Sequence, residues 1–560
     1  MNILGLSYNY HDAAACLLCD GAVVAAAEEE RFSRVKHDAR FPELAIGYCL
    51  DEAKLAAKDI DCVAFYEKPA LKLERALQIA KQYAPASFGA LAEHYPRLIE
   101  DGFALPELLA ARIGYTGRIC YSEHHLSHAA SAFYASPFQD AAILIADGVG
   151  EWATTSEFHG HGNRIEALRE IRYPHSLGLL YAALTAFLGF RVNDDEYKVM
   201  GLASYGTPRF RKEIERLITL HPDGSFTLAL EHFAYMHDAE TMVSPKLIDL
   251  LGPPRLRDET ITERHRDIAA SLQAVTEDAM VTLAKAAREA TGSRHLCLAG
   301  GVALNCVANS QVLARAGFDD IFVQPAAGDG GTAMGAALWA HHDVYDAPRT
   351  PRPHDTLLGS SFSDDAIRES LTRFGVAFEE VDTGTLCGRT AEAIGRGLIV
   401  GWFQGRMEFG PRALGSRSIL ANPCLAEMKD VLNARVKFRE DFRPFAPAVL
   451  EERARDYFEM DGPSPYMLLT PRVRAEQAAR IPSVTHVDGT ARVQTVSKDS
   501  NPLFHRLIES FGTLTGVPIV INTSFNVRGE PIVCTPDDAV RCFLGTDIDM
   551  LAIGHFLVMK

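Results

Sequence analysis

Apolar and polar positions alternate in short runs, and the breaks between them recur. Residues 3–30, ILGLSYNYHDAAACLLCDGAVVAAAEEE, read as an apolar strand, a polar break at Tyr8–Asp12, a second strand, a tight turn at Asp20–Gly21 and a third strand. The segment 142–168, AILIADGVGEWATTSEFHGHGNRIEAL, repeats that layout as strand, D-G-x-G break, strand, GHGN turn, strand. Helical segments follow each copy. The repeat predicts an α/β fold with two homologous subdomains facing each other across a cleft, their aspartates and glycines at strand ends, where open α/β sheets bind ligands.

Two later strands also run into glycine. HLCLAGGVALNCVANS (295–310) predicts a strand, a Gly-Gly break and a helix start, and IFVQPAAGDGGTAMGAAL (321–338) a strand, a Gly-rich loop and a small-residue helix. Such turns at helix N-termini can bring backbone amides close to phosphates, although glycine turns also merely connect elements. The polar, then Gly-rich stretch NDDEYKVMGLASYG (193–206) reads as a loop lining the cleft. Three prolines without apolar periodicity in DAPRTPRPHDT (346–356) read as a linker.

At 560 residues the chain is too long for one compact core, and 47% hydrophobic with 23% charged residues is ordinary globular composition. The longest apolar run, LGLLYAALTAFLGF (177–190), is short of a bilayer span, and MNILGLSYNY lacks the basic start of a signal peptide. The expectation is a soluble, cytoplasmic protein without a membrane partner. A formal charge of −17 argues against a broad nucleic-acid surface, which needs a basic footprint. Eleven cysteines lack framework spacing and read as reduced thiols. The one C-x-x-C, Cys16 to Cys19, lies on a predicted strand, where residues three apart point to opposite faces.

Against this background two groups of residues carry chemistry. In EHHLSHAASAF (123–133), His124 and His128 share one face of a helix and His125 points elsewhere. The pair reads as half of a metal site or as a core helix that carries histidines. If a metal binds, Asp147 in IADGVG and Asp329 in AAGDGG are the carboxylates available at strand ends, and two His with two Asp suits iron(II), manganese or zinc alike. The second group is basic: Arg406, Arg412, Arg417, Arg435, Lys437, Arg439 and Arg443 stand against few acids. It reads as a solvated face or as an anion pocket. Asn522 and Ser524, just after the apolar start of INTSFNVRGEPIV (521–533), favour a phosphate pocket because they add polar groups at a strand end.

YNYHDAA, EEERFSRVKH, EHHLSHAASAF, DEYKVMGLASYG, GGVALNCVAN, EFGPRALGSRSI, KFREDFRPFAP and NTSFNVRGEP, in this order, resemble the O-carbamoyltransferases of antibiotic and nodulation-factor biosynthesis over nearly the whole chain. The resemblance implies an actin-like ATPase-fold domain over 1–345, a linker over 346–358 and a YrdC-like domain over 359–560. It implies His124, His128, Asp147 and Asp329 as metal ligands, with iron(II) the expected metal. Arg412, Lys437, Arg443, Arg492, Asn522 and Ser524 would hold carbamoyl phosphate and the phosphates of ATP with its magnesium, forming carbamoyl-adenylate. Gly148, Gly300, Gly301, Asn305, Gly330 and Gly331 would surround the nucleotide in the first domain. His11 would be the general base for an acceptor hydroxyl, with Lys36 as charge partner, since an imidazole suits proton transfer near neutrality. A homodimer is the family expectation.

The hydrogenase-maturation relatives carry an acylphosphatase module and paired C-x-x-C zinc motifs, neither of which is present in this sequence. The implied activity is therefore ATP-dependent carbamoylation of a small-molecule hydroxyl. Its alternatives are direct transfer from carbamoyl phosphate and an actin-like nucleotide sensor. The acceptor is expected to meet residues within 65–120 and 207–265, which carry no readable code.

Overall fold

The computed structural model describes residues 1–89, 91–92, 102–238, 240–349 and 355–560. The core of the expected linker, 350–354, and parts of the acceptor stretches, 90, 93–101 and 239, lie outside the described residues. The chain divides into two compact units, Met1–Glu29 with His37–His354, and Glu30–Lys36 with Asp355–Lys560. The short segment Glu30–Lys36 thus groups with the second unit, a discontinuity that no linear boundary describes.

In the first unit, β1 (Asn2–Ser7), β2 (Ala14–Cys19), β3 (Ala22–Glu28), β4 (Cys62–Phe65) and β5 (Arg118–Tyr121) form a sheet in the order β3-β2-β1-β4-β5. Then come β6 (Asp140–Ala146), β7 (Ala153–His161) and β8 (Arg164–Arg172), a separate hairpin of β9 (Ile218–Leu220) and β10 (Phe226–Leu228), and β11 (His295–Ala299) with β12 (Asp320–Val323). The second sheet runs β12-β11-β6-β7-β8. The sense of each pairing matches as well: β1–β2 and β2–β3 are antiparallel and β1–β4 and β4–β5 parallel, as are β6–β7, β7–β8, β6–β11 and β11–β12 in turn. The duplication read from 3–30 and 142–168 is present strand for strand, in the doubled α/β architecture of an actin-like fold.

The two innermost strands explain the apolar runs. β1 and β6 are flanked on both sides and buried along almost their whole length, so they carry apolar residues without alternation. Small residues then bring helices onto these sheets. A Cβ at Gly335, in the helix Gly330–Trp339, would lie 1.8 Å from the Ser127 carbonyl oxygen of the helix His124–Phe133. Only glycine permits that approach, which seats the histidine-bearing helix beside the aspartate-bearing loop. The run 177–190 is largely a buried helix, Leu177–Phe187, capped by Ser176, whose Oγ accepts from the Leu179 amide at 3.0 Å. Among the described residues no helix is long and apolar enough to cross a membrane.

One expectation is corrected. Residues 193–206 are not a loop throughout, because Glu196–Ala203 is an α-helix. Its Val199, Met200, Leu202 and Ala203 are buried, and it packs on the long helix Glu263–Thr291, so tertiary burial outweighs the helix-weakening Gly201. Lys198 pairs with Asp195 at 2.7 Å within the same segment.

The second unit contains β13 (Glu379–Glu380), β14 (Val400–Phe403), β15 (Arg417–Ala421), β16 (Ala446–Leu450), β17 (Phe458–Glu459), β18 (Arg472–Val473), β19 (Gln494–Val496), β20 (Ile519–Ser524), β21 (Met550–Ile553) and β22 (Phe556–Met559). Eight of them form a mixed sheet in the order β13-β22-β21-β14-β15-β20-β16-β19. Helices Thr383–Gly395 and Pro502–Thr515 cover one face with Leu386, Ile394, Phe504, Leu507 and Phe511. Arg31 and Arg34, of the segment that groups with this unit, donate to the carbonyls of Gly410 (2.9 Å) and Ile532 (2.7 Å).

Candidate functional site

In the first unit, the helix His124–Phe133 presents both candidate histidines inward, and the β6 end and the loop before Gly330 supply the two aspartates. His124, His128, Asp147 and Asp329 each offer one ligand atom, and these four atoms lie within 4.8 Å of one another. His124 Nε2 is 3.1 Å from His128 Nε2, 3.3 Å from Asp147 Oδ2 and 3.6 Å from Asp329 Oδ1, and His128 Nε2 is 3.7 Å from that same oxygen. All four side chains are buried.

The electrostatics follow from this crowding. Burial alone would lower the pKa of His124, yet Asp329 and Asp147 outweigh it and raise the value to about 9. Burial pushes the Asp147 and Asp329 carboxyls up, but the neighbouring histidines hold both below the usual range. His125, which hydrogen-bonds Ser156 Oγ at 2.7 Å, is pushed down to about 3 by burial and by His124. Two imidazole nitrogens facing each other between two carboxylates can share a cation. The donor set and its convergence fit a divalent metal.

Support for these ligands comes from the backbone. Asp147 Oδ1 accepts from the Gly301 amide at 2.8 Å, which leaves Oδ2 toward His124. Glu151 accepts from the His124 amide at 3.1 Å and the Lys68 amide at 2.8 Å, pinning the start of the histidine helix. The Nδ1 atoms of His124 and His128 are buried without a hydrogen-bond partner among the described residues, so packing holds the rings, Tyr66 lying edge-on to His124 at 5.3 Å.

His11 stands beside this cluster. Its Nδ1 meets Asp12 Oδ2 at 3.0 Å and its Nε2 lies 3.9 Å from Asp329 Oδ2. Burial would lower its pKa, but Asp329 and Asp12 raise it to about 9. Asp12 adopts a left-handed backbone (φ 53°), and its other carboxylate oxygen meets His37 Nδ1 at 2.7 Å, while His37 Nε2 reaches Asp194 Oδ1 at 3.1 Å. Asp12, His37, Asp194 and Glu151 were not singled out from the sequence. The first three lie in YNYHDAA, FSRVKH and NDDEYK, so their signal was proximity to other site residues. Lys36, the expected partner of His11, lies in the segment that groups with the second unit.

The glycines expected around a nucleotide divide by what their amides do. Gly300 donates to Ala327 O at 2.9 Å, Gly301 to Asp147 and Gly331 to Gly328 O at 3.1 Å. Gly300 holds φ 88°, and a Cβ there would lie 2.3 Å from Ala146 O, so it lets β11 close onto β6. Asn305 caps its own helix through Ala308 N at 3.0 Å and pairs with Gln273 at 2.9 Å. Around Gly148 a Cβ would meet nothing within 4 Å, and Gly330 opens its helix beside Asp12.

In the second unit the structure sorts the basic cluster. Arg417 is fully buried, donating to the carbonyls of Gln404 (2.8 Å), Gly405 (3.2 Å), Ser416 (3.2 Å) and Ser360 (2.8 Å), with the Phe403 ring centroid 3.7 Å away. Arg406 reaches the carbonyls of Leu358 (2.8 Å) and Gly359 (3.2 Å), and Arg439 stacks on Phe445 at 4.4 Å and bonds Asn433 Oδ1 at 2.8 Å. Arg435 faces Asp547 and Asp549, each at 3.5 Å. Arg406, Arg417 and Arg439 are thus engaged by the fold itself, and Arg435 by carboxylates near the surface.

Lys437 differs. It is buried, and its Nζ donates to Ser524 O, to Ser524 Oγ (3.3 Å) and to Asn526 O (3.0 Å) and Oδ1 (2.9 Å). Burial holds its pKa well below the ordinary lysine range, and Arg439 and Arg443 act in the same direction. Arg443 Nη1 lies 3.7 Å from Glu440. Asn522, two residues before Ser524 on β20, donates to Gln494 Oε1 at 2.7 Å and to Ala413 O at 3.3 Å. These bonds draw the segments that carry Arg412 and Arg492 toward the end of β20.

The amino-terminal part of the chain, residues 2–338, matches the family model described as Carbamoyltransferase N-terminus, and residues 391–560 match Carbamoyltransferase C-terminus. Similar proteins include the Synechocystis protein sll1178, described as uncharacterized, 45% identical over 100% of this chain and 97% of its own. Nodulation protein NolNO of Sinorhizobium fredii is 40% identical over 98% of this chain and 79% of its own. Nodulation protein NolO of Bradyrhizobium diazoefficiens is 41% identical over 78% of each chain. Fold and matches together define a two-unit α/β transferase. The chain belongs to the carbamoyltransferase family and is an enzyme of carbamoyl transfer.

Proposed function

We propose that this enzyme is an ATP-dependent O-carbamoyltransferase that uses carbamoyl phosphate and passes through carbamoyl-adenylate. The observation that carries the reading is the convergence around Lys437, whose buried amine, with Arg443 and Ser524, makes an anion-seeking end to β20 in a chain of net acidic charge. There, water cleaves carbamoyl phosphate to carbamate and phosphate, a carbamate oxygen attacks the α-phosphorus of ATP, and pyrophosphate leaves. Fixed cations, Arg412, Lys437, Arg443 and Arg492, offset the charge that develops on the phosphoryl group, while Asn522 and Ser524 orient it.

Transfer to a small-molecule hydroxyl belongs to the first unit. His124, His128, Asp147 and Asp329 would hold a divalent metal, iron(II) being the expectation, which polarises a carbonyl or acidifies a hydroxyl when bound. His11 takes the hydroxyl proton as the oxygen attacks the carbamoyl carbon and AMP leaves. His11 would feel less of the Asp329 and Asp147 field if those carboxylates held a cation, with Asp12 still on its Nδ1, so its ring would be freer to accept a proton nearer neutrality. Gly148 and Gly330 remain the glycines through which this unit would approach the nucleotide.

A second reading, direct transfer from carbamoyl phosphate, is favoured by the engaged amides of Gly300, Gly301 and Gly331. Pyrophosphate and AMP release from ATP, with and without carbamoyl phosphate, separates the two. Carbamoyl-phosphate-dependent release that falls about 100-fold or more in Arg443→Ala supports adenylation. No release by the wild type, with candidate acceptors present, sinks adenylation and leaves direct transfer.

A further inference from the structure

One oxygen in the second unit is built to meet a donor that phosphate cannot supply. Asn522 is 1% exposed on the interior strand β20, between β15 and β16. Gln494 Nε2 donates to the Leu414 carbonyl at 2.8 Å, which fixes its amide so that Oε1 faces Asn522. Asn522 must therefore turn Nδ2 toward Gln494, and the same nitrogen also meets Ala413 O at 3.3 Å. Both of its N–H groups are thus used, and its Oδ1 is left buried without a hydrogen-bond partner among the described residues. A buried acceptor in this state is costly unless a ligand donates to it. Ionised phosphate oxygens cannot, since they only accept, and the Ser524 hydroxyl already donates to Asn526 Oδ1 at 2.7 Å.

We propose that Asn522 Oδ1 accepts a hydrogen bond from the amine of the carbamoyl group and is the specificity determinant for carbamoyl phosphate over other acyl phosphates. This rests on the reading of the β20 end as the carbamoyl phosphate pocket and adds which atom recognises which part of the substrate. The network Leu414–Gln494–Asn522 is the device, since it commits both N–H groups of Asn522 and leaves Oδ1 without a partner among the described residues. Acetyl phosphate is the matched probe, because it replaces the amine with a methyl of similar size and leaves the phosphate unchanged. A site that hydrogen-bonds a substrate N–H rejects the analogue lacking it by on the order of 10⁴-fold.

The test is calorimetric titration of the full chain with carbamoyl phosphate and with acetyl phosphate, wild type against Asn522→Ala and Asn522→Ser, with pyrophosphate release from ATP or ITP followed in parallel. The wild type is expected to favour carbamoyl phosphate by at least about 100-fold, and Asn522→Ala to narrow that ratio to below about 10-fold. Comparable binding of both acyl phosphates by the wild type would overturn the proposal without any variant. So would an unchanged ratio in whichever variant retains a cooperative melt, or a loss of ATP-over-ITP preference in its place, which would assign Oδ1 to the adenine amine. Discrimination in binding without pyrophosphate release would instead retire adenylation and leave the recognition standing.

Discussion

The two units bury charge in opposite ways. In the first, His124 and His128 are pressed against Asp147 and Asp329, so each histidine has a carboxylate within 4 Å and a cation can be shared among the four side chains. In the second, the Lys437 amine is enclosed by the neutral oxygens of Ser524 and Asn526, with Arg439 and Arg443 opposing its charge. A cluster of ligands that compensate one another calls for a metal. A cation held by neutral acceptors beside other cations calls for an anion. The lesson is that burial by itself does not identify a site; the sign left uncompensated after local pairing does.

The contrast breaks most sharply at the metal ligands. Asp329→Ala removes the oxygen that both histidines face, and bound divalent metal, measured by elemental analysis after loading with iron(II) or zinc, is expected to fall by about 100-fold or more in affinity. Wild-type levels in that variant would mean that the cluster is only an ion-pair network. A lesser effect is expected one layer out: Glu151→Gln weakens the anchor on the His124 amide and should cost about 10-fold in metal affinity with little change in melting temperature.

In the second unit the same logic separates two arginines of one sequence cluster. Arg417→Met strips donors from buried carbonyls and should destabilise the chain by about 3 kcal/mol in denaturant unfolding. Arg443→Ala should leave unfolding nearly unchanged and weaken carbamoyl phosphate binding; the reverse pattern would reassign both residues. The smallest effect is a proton. Lys437 in the free pocket has a pKa well below the ordinary lysine range, and an anion beside it raises that value again. Binding then takes up protons between the two values, and affinity falls as pH rises through the free-pocket titration. Calorimetry in buffers of differing ionisation enthalpy checks this, and a heat independent of buffer would remove Lys437 from the anion site.

Much of this was legible along the chain. The duplicated strand layout needs only alternating runs and turn residues, and β1–β3 and β6–β8 fall where those patterns place them. His124 and His128 were visible because helical spacing alone puts them on one face. The helix at Glu196–Ala203 was missed because its Gly201 and polar start read as loop, and only packing on Glu263–Thr291 overrides that preference. Arg417 and Lys437 were indistinguishable in sequence, since both are cations in one basic stretch.

The sequence by itself determined the doubled α/β plan, the family and the residue types from which sites could be made, because hydrophobic periodicity, turn chemistry and short motifs are local properties. Only the tertiary structure decided which of those residues share a site. It brought Asp147 and Asp329 to one helix face across 182 residues of chain, spent the amide of Gly301 on a carboxylate, closed Arg417 into a cage of carbonyls and left Asn522 Oδ1 without a hydrogen-bond partner among the described residues. Those outcomes depend on which groups remain unpaired once long-range packing is complete, and pairing across the fold has no period along the chain.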